Sequence, residues 1–408
     1  MYLDFAWRYF KAKKSANAIN IIAGVTTCVI AFATCCQILV LSVFNGFEDL
    51  VKSLYSSFYT DLKVVPASGK TFVMDAALIA KIKSQPYVFQ SAMIAEENAM
   101  LQNDDAQSQS LLRLKGVDNS FPQVSGVPQK MSKGKFELGD AENPTIVVGA
   151  GVQYASGITI NDAFPPQQLA VILPKKNIQS NDPMQSLSIG NVTAIGSFAI
   201  QQDFDNGYAI TNIDFVKQQM GFSADEFSSA EIKLKSGTAI NNAKNLLQKL
   251  VGSKYILQTR YEQNTNLYST MRLEKWAIYA VLTLILIIAA FNMVSALTML
   301  VLEKKQDIAI LQSMGTTSQM IRKIFLTEGI LLGALGATCG ILLAMLICFL
   351  QVKFKLIKLQ GGSFLIDYFP VKLIASDFFL VAGTAMAIAF IASWFPAYKA
   401  SKQPLDLR

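Results

Sequence analysis

The sequence predicts an α-helical membrane protein with four transmembrane helices, one before and three after a large extracytoplasmic α+β domain. Four stretches contain no Asp, Glu, Lys or Arg: residues 15–47, 277–302, 329–352 and 378–398. Each reaches the roughly 20 residues that a helix needs to cross about 30 Å of hydrocarbon. The stretches are too long for barrel strands, and a backbone in lipid must satisfy its own hydrogen bonds. We therefore expect helices.

The predicted boundaries follow from these stretches and their polar flanks. The transmembrane helices are placed at residues 18–44, 276–302, 324–352 and 377–398. The cytoplasmic parts are an interfacial helix at 1–17, a coupling loop at 303–323 and a tail at 399–408. The extracytoplasmic parts are a domain with stalks at 45–275 and a loop at 353–376. Within the domain, a stretch richer in Pro and Gly at about 121–188 is expected to be an inserted β-rich subdomain.

Positive charges on the flanks orient the predicted helices. They precede the first apolar stretch, separate the second from the third and follow the fourth: Arg8, Lys11, Lys13, Lys14, Lys304, Lys305, Arg322, Lys323, Lys399, Lys402 and Arg408. Because such flanks stay in the cytoplasm, the large domain is expected on the outer side. The net charge of +7 is therefore a topology signal, and nucleic-acid binding is not expected. Four lysines of the outer loop oppose the rule: Lys353, Lys355, Lys358 and Lys372.

The amino-terminal part of the chain leaves two alternatives open. Residues 2–14 have one apolar and one charged face, which predicts an interfacial helix, but a disordered basic tail fits as well. The first apolar stretch is either a transmembrane helix or a cleaved signal. Its uncharged length exceeds the roughly 7 to 15 residues of a signal h-region. The residues before Cys28 and Cys35 also lack the small residue that lipidation requires, so we prefer the helix.

The residue types that most often carry enzymatic catalysis are either absent or lie inside the apolar stretches. The chain has no histidine, and its five cysteines lie inside apolar stretches. The usual zinc, copper and haem ligand sets and the Ser/His and Cys/His nucleophile pairs are therefore not expected, and the outer domain must fold without disulfides. The Gly69-Lys70 and Gly134-Lys135 pairs lack the upstream glycine of a phosphate-binding loop. We expect no cofactor on this chain, and any ATP and Mg must be bound by a partner.

The predicted coupling loop combines charged and apolar residues. Glu303, Lys304, Lys305 and Asp307 are followed by Ile310, Leu311 and Met314, and Gly315 is a suitable helix stop. Thr317 or Ser318 is expected to cap a second short helix that bears Met320, Ile321 and Ile324. The apolar residues of this helical knob either rest on lipid or dock into a cytoplasmic protein, and we prefer docking.

Helical periodicity continues beyond the membrane on both sides of the domain. A continuous helix over residues 17–58 would be about 60 Å long, and residues 262–275 are expected to lead without a break into the second transmembrane helix. The two stalks should pack together, although an anchored domain with short linkers is the alternative. Strands are predicted at 62–65, 88–100, 111–117, 192–200, 231–235 and 255–259, with a turn at 103–105 and helices at 75–84 and 239–251.

Two segments carry a family resemblance. The run EKKQDIAILQSMG at 303–315, followed by IFLTEG at 324–329, resembles the MacB-like, or FtsX-like, ABC transporter permeases. The segments NAIN at 17–20 and LSVFNGFE at 41–48 are similar, more narrowly, to the lipoprotein-releasing (Lol-type) permeases. The resemblance covers nearly the whole chain, including the order of the apolar stretches.

The resemblance implies a permease subunit in the bacterial inner membrane with its large domain in the periplasm. It implies a second permease chain, identical or different, and a separate cytoplasmic ATPase that docks on the knob. It further implies that a lipoprotein is lifted from the outer leaflet and given to a periplasmic carrier. In some family members a projecting loop captures that carrier, and the candidate loop here includes Pro174, Lys175, Lys176 and Pro183.

The spans offer few polar side chains, which suits apolar cargo better than polar solutes. Phe44, Phe47, Leu50 and Leu54, at the outer end of the first helix, either form one wall of a groove for acyl chains or serve as ordinary stalk packing. Small residues at Gly333, Gly336 and Gly340 predict close helix packing in the third helix.

Three alternative functions remain open. An efflux permease for peptides or small amphiphiles would share the fold. A cell-division permease would transmit ATPase movement to a cell-wall hydrolase. A membrane-anchored enzyme would be left with carboxylate chemistry alone.

Overall fold

The computed structural model describes residues 17–161, 165–176, 186–359 and 368–403, with side chains described from residue 21 onward. Residues 1–16 of the predicted interfacial helix, Pro183 of the candidate loop and residues 404–408 of the tail lie outside these ranges. The described chain divides into two compact units. One contains residues 17–50 with 269–403, and the other contains residues 51–268.

The helices are, in chain order, α1 (Asn17–Phe58), α2 (Ala76–Lys83), α3 (Phe121–Val124), α4 (Ala150–Ala155), α5 (Gln202–Gly207), α6 (Ile213–Met220), α7 (Ile240–Val251), α8 (Arg260–Gln263), α9 (Thr265–Glu303), α10 (Lys305–Ser313), α11 (Ser318–Phe354) and α12 (Ala375–Ser401). A 3₁₀ turn covers Val127–Lys130. By length and composition, α1, α9, α11 and α12 could each cross a membrane. The predicted continuous helix from 17 to 58 is confirmed, and its 42 residues span about 63 Å.

The strands are β1 (Leu62–Pro66), β2 (Phe72–Val73), β3 (Val88–Asn103), β4 (Ser108–Val117), β5 (Met131–Gly134), β6 (Thr145–Gly149), β7 (Gln168–Pro174), β8 (Leu187–Phe198), β9 (Tyr208–Asn212), β10 (Glu226–Phe227), β11 (Ser229–Leu234) and β12 (Tyr255–Thr259). Ten of them form one mixed sheet in the order β12-β1-β11-β3-β4-β9-β6-β8-β5, and β7 pairs with β3 and β8. Strands β5, β6 and β7, from the region around residues 121–188, join this same sheet.

The long strand β3 lies at the centre of the domain because both of its faces are buried. Ala92 and Ile94 face one core cluster, which also contains Tyr55 and Phe58 of α1. Met93 and Ala95 alternate with them and face a second cluster beneath α2, α6 and α7. A strand buried on both sides is apolar at successive positions, as residues 92–95 are.

Several local predictions differ from the structure. The helix before α9 does not run unbroken from residue 262, because α8 ends at Gln263 and Asn264 has a non-helical backbone (φ −141°, ψ 58°) before Thr265. The helix capped at Thr317 is not short, and it runs on as α11 to Phe354. Strands β6, β7 and β9 are absent from the prediction. They are short segments that pairing on both sides stabilises, so their own sequence carries a weak signal.

Small residues bring α11 close to its neighbours. A Cβ added at Gly333 would collide with Ala389 of α12, and one at Gly340 would collide with the Ala31 carbonyl of α1. A Cβ at Gly336 would lie 2.9 Å from Ile30 of α1. Glycine at these positions lets the helix backbones approach, and close backbone approach replaces the hydrophobic effect as the source of helix association in lipid.

Candidate functional site

The short helix α10 is held in a defined position by its two ends. Lys304 separates it from α9, and the Lys304 ammonium lies 3.1 Å from the Asp307 carboxylate. At the other end, Gly315 has a φ of +88°, and the Thr316 amide donates to the Leu311 carbonyl at 3.0 Å. A positive φ at this position is open to glycine at little cost, which explains the stop.

The two sides of α10 have different surroundings. Ile308 is 2% exposed and packs in a cluster with Val301, Phe325 and Ala397. Ile310 and Met314 are one helical turn apart and are 55% and 77% exposed. Ile308 therefore anchors the helix internally, and Ile310 and Met314 form an exposed apolar ridge. Of the other predicted residues, Leu311 is half-buried and the side chains of Glu303 and Lys305 are exposed.

Phe44, Phe47, Leu50 and Leu54 lie on one side of α1, since they are three or four residues apart. All four are half-buried. Phe47 has an intramolecular partner, because its ring packs edge-on against Phe369 at a centroid distance of 5.9 Å. The same side of α1 continues toward its amino end as an exposed apolar stripe that includes Val25, Phe32 and Val40.

A polar network that sequence reasoning missed lies on the other side of α1. Asn45 is buried and donates to Asp377 of α12 at 2.6 Å. Lys275 of α9 donates to the Asn45 side-chain oxygen at 2.9 Å and to Asp377 Oδ2 at 3.1 Å. The three side chains join three helices at one point. The available sequence signal was that Lys275 and Asp377 lie at the ends of predicted apolar stretches. Their contacts with each other and with Asn45 were not predictable, because the three residues are far apart in sequence.

The segment before α12 packs directly on α1 at Gly46. A Cβ at Gly46 would collide with the backbone of Pro370, and the Lys372 amide donates to the Ser42 carbonyl at 2.9 Å. The Lys372 ammonium also pairs with the Asp49 carboxylate. The Asn45-Gly46 pair of the family-like segment therefore has two structural roles, a polar contact and a close backbone approach.

The candidate loop begins at the β7–β8 hairpin. The Lys175 amide donates to the Ser186 carbonyl at 2.8 Å, and the Lys176 ammonium pairs with Glu226. Burial alone would raise the pKa of the Glu226 carboxyl, but hydrogen bonds from Lys176 and Thr71 outweigh burial, and its pKa lies below the usual range. The base of the hairpin is therefore ordered by charge as well as by strand pairing.

An apolar row crosses four strands beside this hairpin. Leu111 pairs with Met100, Met100 pairs with Ile172, and Ile172 pairs with Ile189. Directly paired residues point to the same face of a sheet, so the four side chains form one row. Leu111 is 81% exposed and Ile189 is 65% exposed. This row is a surface feature that alternation in single strands does not predict.

A buried ion pair lies under the end of α1. The Lys115 ammonium donates to Glu231 at 2.6 Å, and both side chains are almost fully buried. The ammonium also lies 4.8 Å from the Phe58 ring centroid and 5.0 Å from that of Phe121. The end of α1 thus rests on a charge that is compensated by an acid and by two aromatic faces.

The described ranges contain no group of three or more His, Cys, Asp or Glu side chains that could hold a metal ion. All five cysteines are free.

Two family models match the chain. Residues 23–250 match the MacB-like periplasmic core domain, and residues 279–405 match the FtsX-like permease C-terminal domain. The chain belongs to the family with a MacB-like periplasmic core domain, and it is an ABC transporter permease of the FtsX-like class.

Individual relatives match over nearly the whole chain. The lipoprotein-releasing system transmembrane protein LolC of Xylella fastidiosa (strain Temecula1) is 25% identical over 98% of this chain and 96% of that protein. LolC of Neisseria meningitidis serogroup B is 26% identical over 98% of both chains. LolE of Haemophilus influenzae is 22% identical over 98% of this chain and 97% of that protein. The periplasmic region of MacB from Actinobacillus actinomycetemcomitans matches 54% of this chain and 98% of that one, with a TM-score of 0.37 and 10% identity.

Proposed function

We propose that this chain is a permease subunit that uses a separate ATPase to extract lipoproteins from the outer leaflet of the bacterial inner membrane. The extracted lipoprotein then passes to a periplasmic carrier. The observation that carries the proposal is the similarity, across 98% of the chain, to transmembrane proteins of lipoprotein-releasing systems.

The topology that this function needs is one transmembrane helix before the domain and three after it. In that arrangement α1, α9, α11 and α12 cross the inner membrane, and residues 51–268 lie in the periplasm. The order of the four apolar helices along the chain and the basic residues on the α10 side support it.

The ATPase docks on α10 in this proposal. Ile310 and Met314 supply an apolar contact, with Glu303, Lys304, Lys305 and Asp307 at its rim. Internal packing of Ile308 keeps α10 from moving independently of α9 and α11. Movement of the ATPase would therefore be passed to the apolar helices. ATP and Mg are bound by the ATPase, and this chain binds no cofactor.

The lipid-bearing substrate contacts α1. Phe44, Phe47, Leu50 and Leu54 form part of the apolar wall for acyl chains, which require no polar recognition. A second permease chain, identical or different, supplies the facing wall. Because α1 is one uninterrupted helix from residue 17 to 58, movement near its amino end is carried into residues 51–58, which pack in the domain core.

The periplasmic carrier binds at the β7–β8 hairpin. Pro174, Lys175, Lys176 and Pro183 belong to the loop segment, and the apolar row of Leu111, Met100, Ile172 and Ile189 adds a surface for a protein that shields acyl chains. Exposed apolar rows of this kind are typical of protein-binding surfaces.

The decisive experiment is reconstitution. The chain is purified with its ATPase and second permease chain and placed in proteoliposomes that contain a lipoprotein. We expect soluble carrier to receive lipoprotein only when ATP is present. The matched control is the same substrate with its lipidated cysteine replaced by serine, which should neither stimulate ATP hydrolysis nor require the permease. ATP hydrolysis without any carrier-dependent release would contradict the proposal.

Export of small amphiphiles is a second candidate, because the domain belongs to the MacB-like family. The same proteoliposomes separate the two functions. Stimulation of ATP hydrolysis by small amphiphiles, together with no response to lipoprotein, would favour export.

A further inference from the structure

Residues 352–358 form an exposed segment in which apolar side chains alternate with lysines. Every residue of this segment is exposed. The apolar members are Val352, Phe354, Leu356 and Ile357, and the basic members are Lys353, Lys355 and Lys358. We call residues 352–358 the lysine segment. It contains the end of α11 and the turn that follows.

The turn in the lysine segment is stabilised by the buried side chain of Gln351. Gln351 is 5% exposed, and its amide donates to the Ile357 carbonyl at 3.1 Å and to the Phe369 carbonyl at 3.2 Å. Its side-chain oxygen accepts from the Ile357 amide at 2.9 Å. Lys358 also pairs with Tyr368 in an antiparallel bridge. One buried amide thus fixes the direction in which the exposed side chains point.

The three lysines carry charge that the described part of the chain does not neutralise. Lys353, Lys355 and Lys358 make no salt bridge there, whereas Lys372 pairs with Asp49. Lys353 lies 5.5 Å from the Phe354 ring centroid, and Lys355 lies 4.0 Å from that of Tyr368. These ring contacts orient the ammonium groups and leave their charge in place.

We propose that the lysine segment binds an anionic phospholipid of the outer leaflet. The ammonium groups contact the lipid phosphate, and Val352, Leu356 and Ile357 contact the upper part of the acyl chains. This placement rests on the topology proposed above. Cations beside apolar side chains match the boundary between headgroups and acyl chains, where a lysine near an anionic surface contributes attraction. Lipid binding also explains why three lysines lie on the outer side of the membrane, where short loops normally contain few basic residues.

The test is native mass spectrometry of the full chain, purified with its partner subunits and delipidated in detergent. Phosphatidylglycerol is the anionic probe, and phosphatidylethanolamine is the zwitterionic one. The variant carries Lys353→Gln, Lys355→Gln and Lys358→Gln. Its matched control carries Lys235→Gln, Lys249→Gln and Lys254→Gln, which remove the same charge from exposed positions of the other unit.

We expect the unchanged chain and the control to bind phosphatidylglycerol more tightly than phosphatidylethanolamine. Since one lysine contributes roughly a fivefold change in affinity, the segment variant should bind phosphatidylglycerol on the order of 100-fold more weakly. Phosphatidylethanolamine binding should stay the same.

Unchanged phosphatidylglycerol binding by the segment variant would overturn the proposal. Equal loss of both lipids would overturn it as well, because the lysines would then recognise the phosphate that both headgroups share and not the net negative charge. If the segment variant instead loses its second permease chain or its lipoprotein while lipid binding persists, the segment is a protein contact and the lipid proposal is wrong. The binding measurement needs neither ATP nor release, so its failure is distinct from failure of the proposed function.

Discussion

Lys275 and Asp377 are 102 positions apart in sequence, yet the Lys275 ammonium lies 3.1 Å from the Asp377 carboxylate. Buried Asn45 contacts both groups, so α1, α9 and α12 meet at one polar point. Neither side chain of the ion pair is largely exposed. A charge left without its partner here would be poorly solvated.

Removing one member of this pair should therefore destabilise the fold more than removing both. We expect Asp377→Leu to destabilise the chain by about 1–3 kcal/mol, less than for a fully buried pair because Lys275 retains some exposure. The double variant Lys275→Met with Asp377→Leu should recover part of the loss. Thermal unfolding in detergent measures each variant, with Lys249→Met as an exposed control. Losses that simply add in the double variant would show that the two charges do not interact.

The exposed ridge on α10 should be needed for ATPase association. Ile310→Asp or Met314→Asp should abolish co-purification of the ATPase, since a charge on an apolar docking face costs a few kcal/mol when it is buried. Membrane insertion should not change, because neither side chain is buried in this chain. Gln319→Asp, at an exposed position of α11, is the matched control. Recovery of the normal amount of ATPase with both ridge variants would remove the docking assignment.

The continuity of α1 should be needed for coupling. A short Gly-Ser insertion after Leu54 should stop lipoprotein release while ATP hydrolysis continues, because Gly disfavours helix by about 1 kcal/mol and flexible linkers transmit little force. Release and phosphate production are measured in the same proteoliposomes. Tyr55 and Phe58 pack in the domain core, so limited proteolysis must show that the domain stays folded.

The control is the same insertion in the exposed turn at Gly237, which has a φ of +84° and open space around it. This control should release lipoprotein normally. Normal release by the Leu54 insertion would mean that α1 is only a tether.

The glycines of α11 should be intolerant of large side chains. Gly340→Leu should destabilise the chain by about 1–3 kcal/mol, because the added atoms collide with Ala31 and Thr34 of α1. Gly383→Leu places the same side chain in α12 where nothing lies within 4 Å, so it should have little effect. Heating in detergent followed by size-exclusion chromatography compares them. Equal stability of the two variants would contradict close packing at Gly340.

Glu226 should contribute stability that depends on pH. Its pKa is lower in the folded chain than in the unfolded chain, where the usual value is about 4.3. The contribution is therefore present above about pH 4.3, and it is lost as the pH falls through the folded-state pKa. Unfolding midpoints between neutral and acidic pH should fall more steeply for the unchanged chain than for Glu226→Gln. Parallel curves would show that the Lys176 and Thr71 contacts do not perturb this carboxyl.

Local patterns predicted the elements whose signal is contained in their own residues. Helix α1 has no breaker over 42 residues, and β3 and β4 are long strands joined by a turn at residues 104–107, which overlaps the turn predicted at 103–105. Turns and strands supported by neighbours were harder to predict. Residues 145–149 form a strand because β8 and β9 pair with them on either side, and a five-residue run with three aliphatic side chains does not by itself show which structure it adopts.

The sequence also predicted only part of the candidate site. The apolar and charged composition of residues 303–315 identified a knob, but it did not separate Ile308 from Ile310. Only packing against Val301 and Phe325 shows that Ile308 is internal and Ile310 exposed. Likewise, Lys176 was assigned to a polar loop, and its pairing with Glu226 depends on a strand 50 residues away.

By itself, the sequence determined four apolar helices, a long first helix and the family, because length, hydropathy and short motifs are properties of contiguous residues. The tertiary structure alone decided that Lys275 meets Asp377, that Lys115 is buried against Glu231, and that four apolar residues align across β4, β3, β7 and β8. Each of these depends on the register and packing of elements that are distant in the chain. Such contacts form only when many weak interactions place the elements together, so no single segment encodes them.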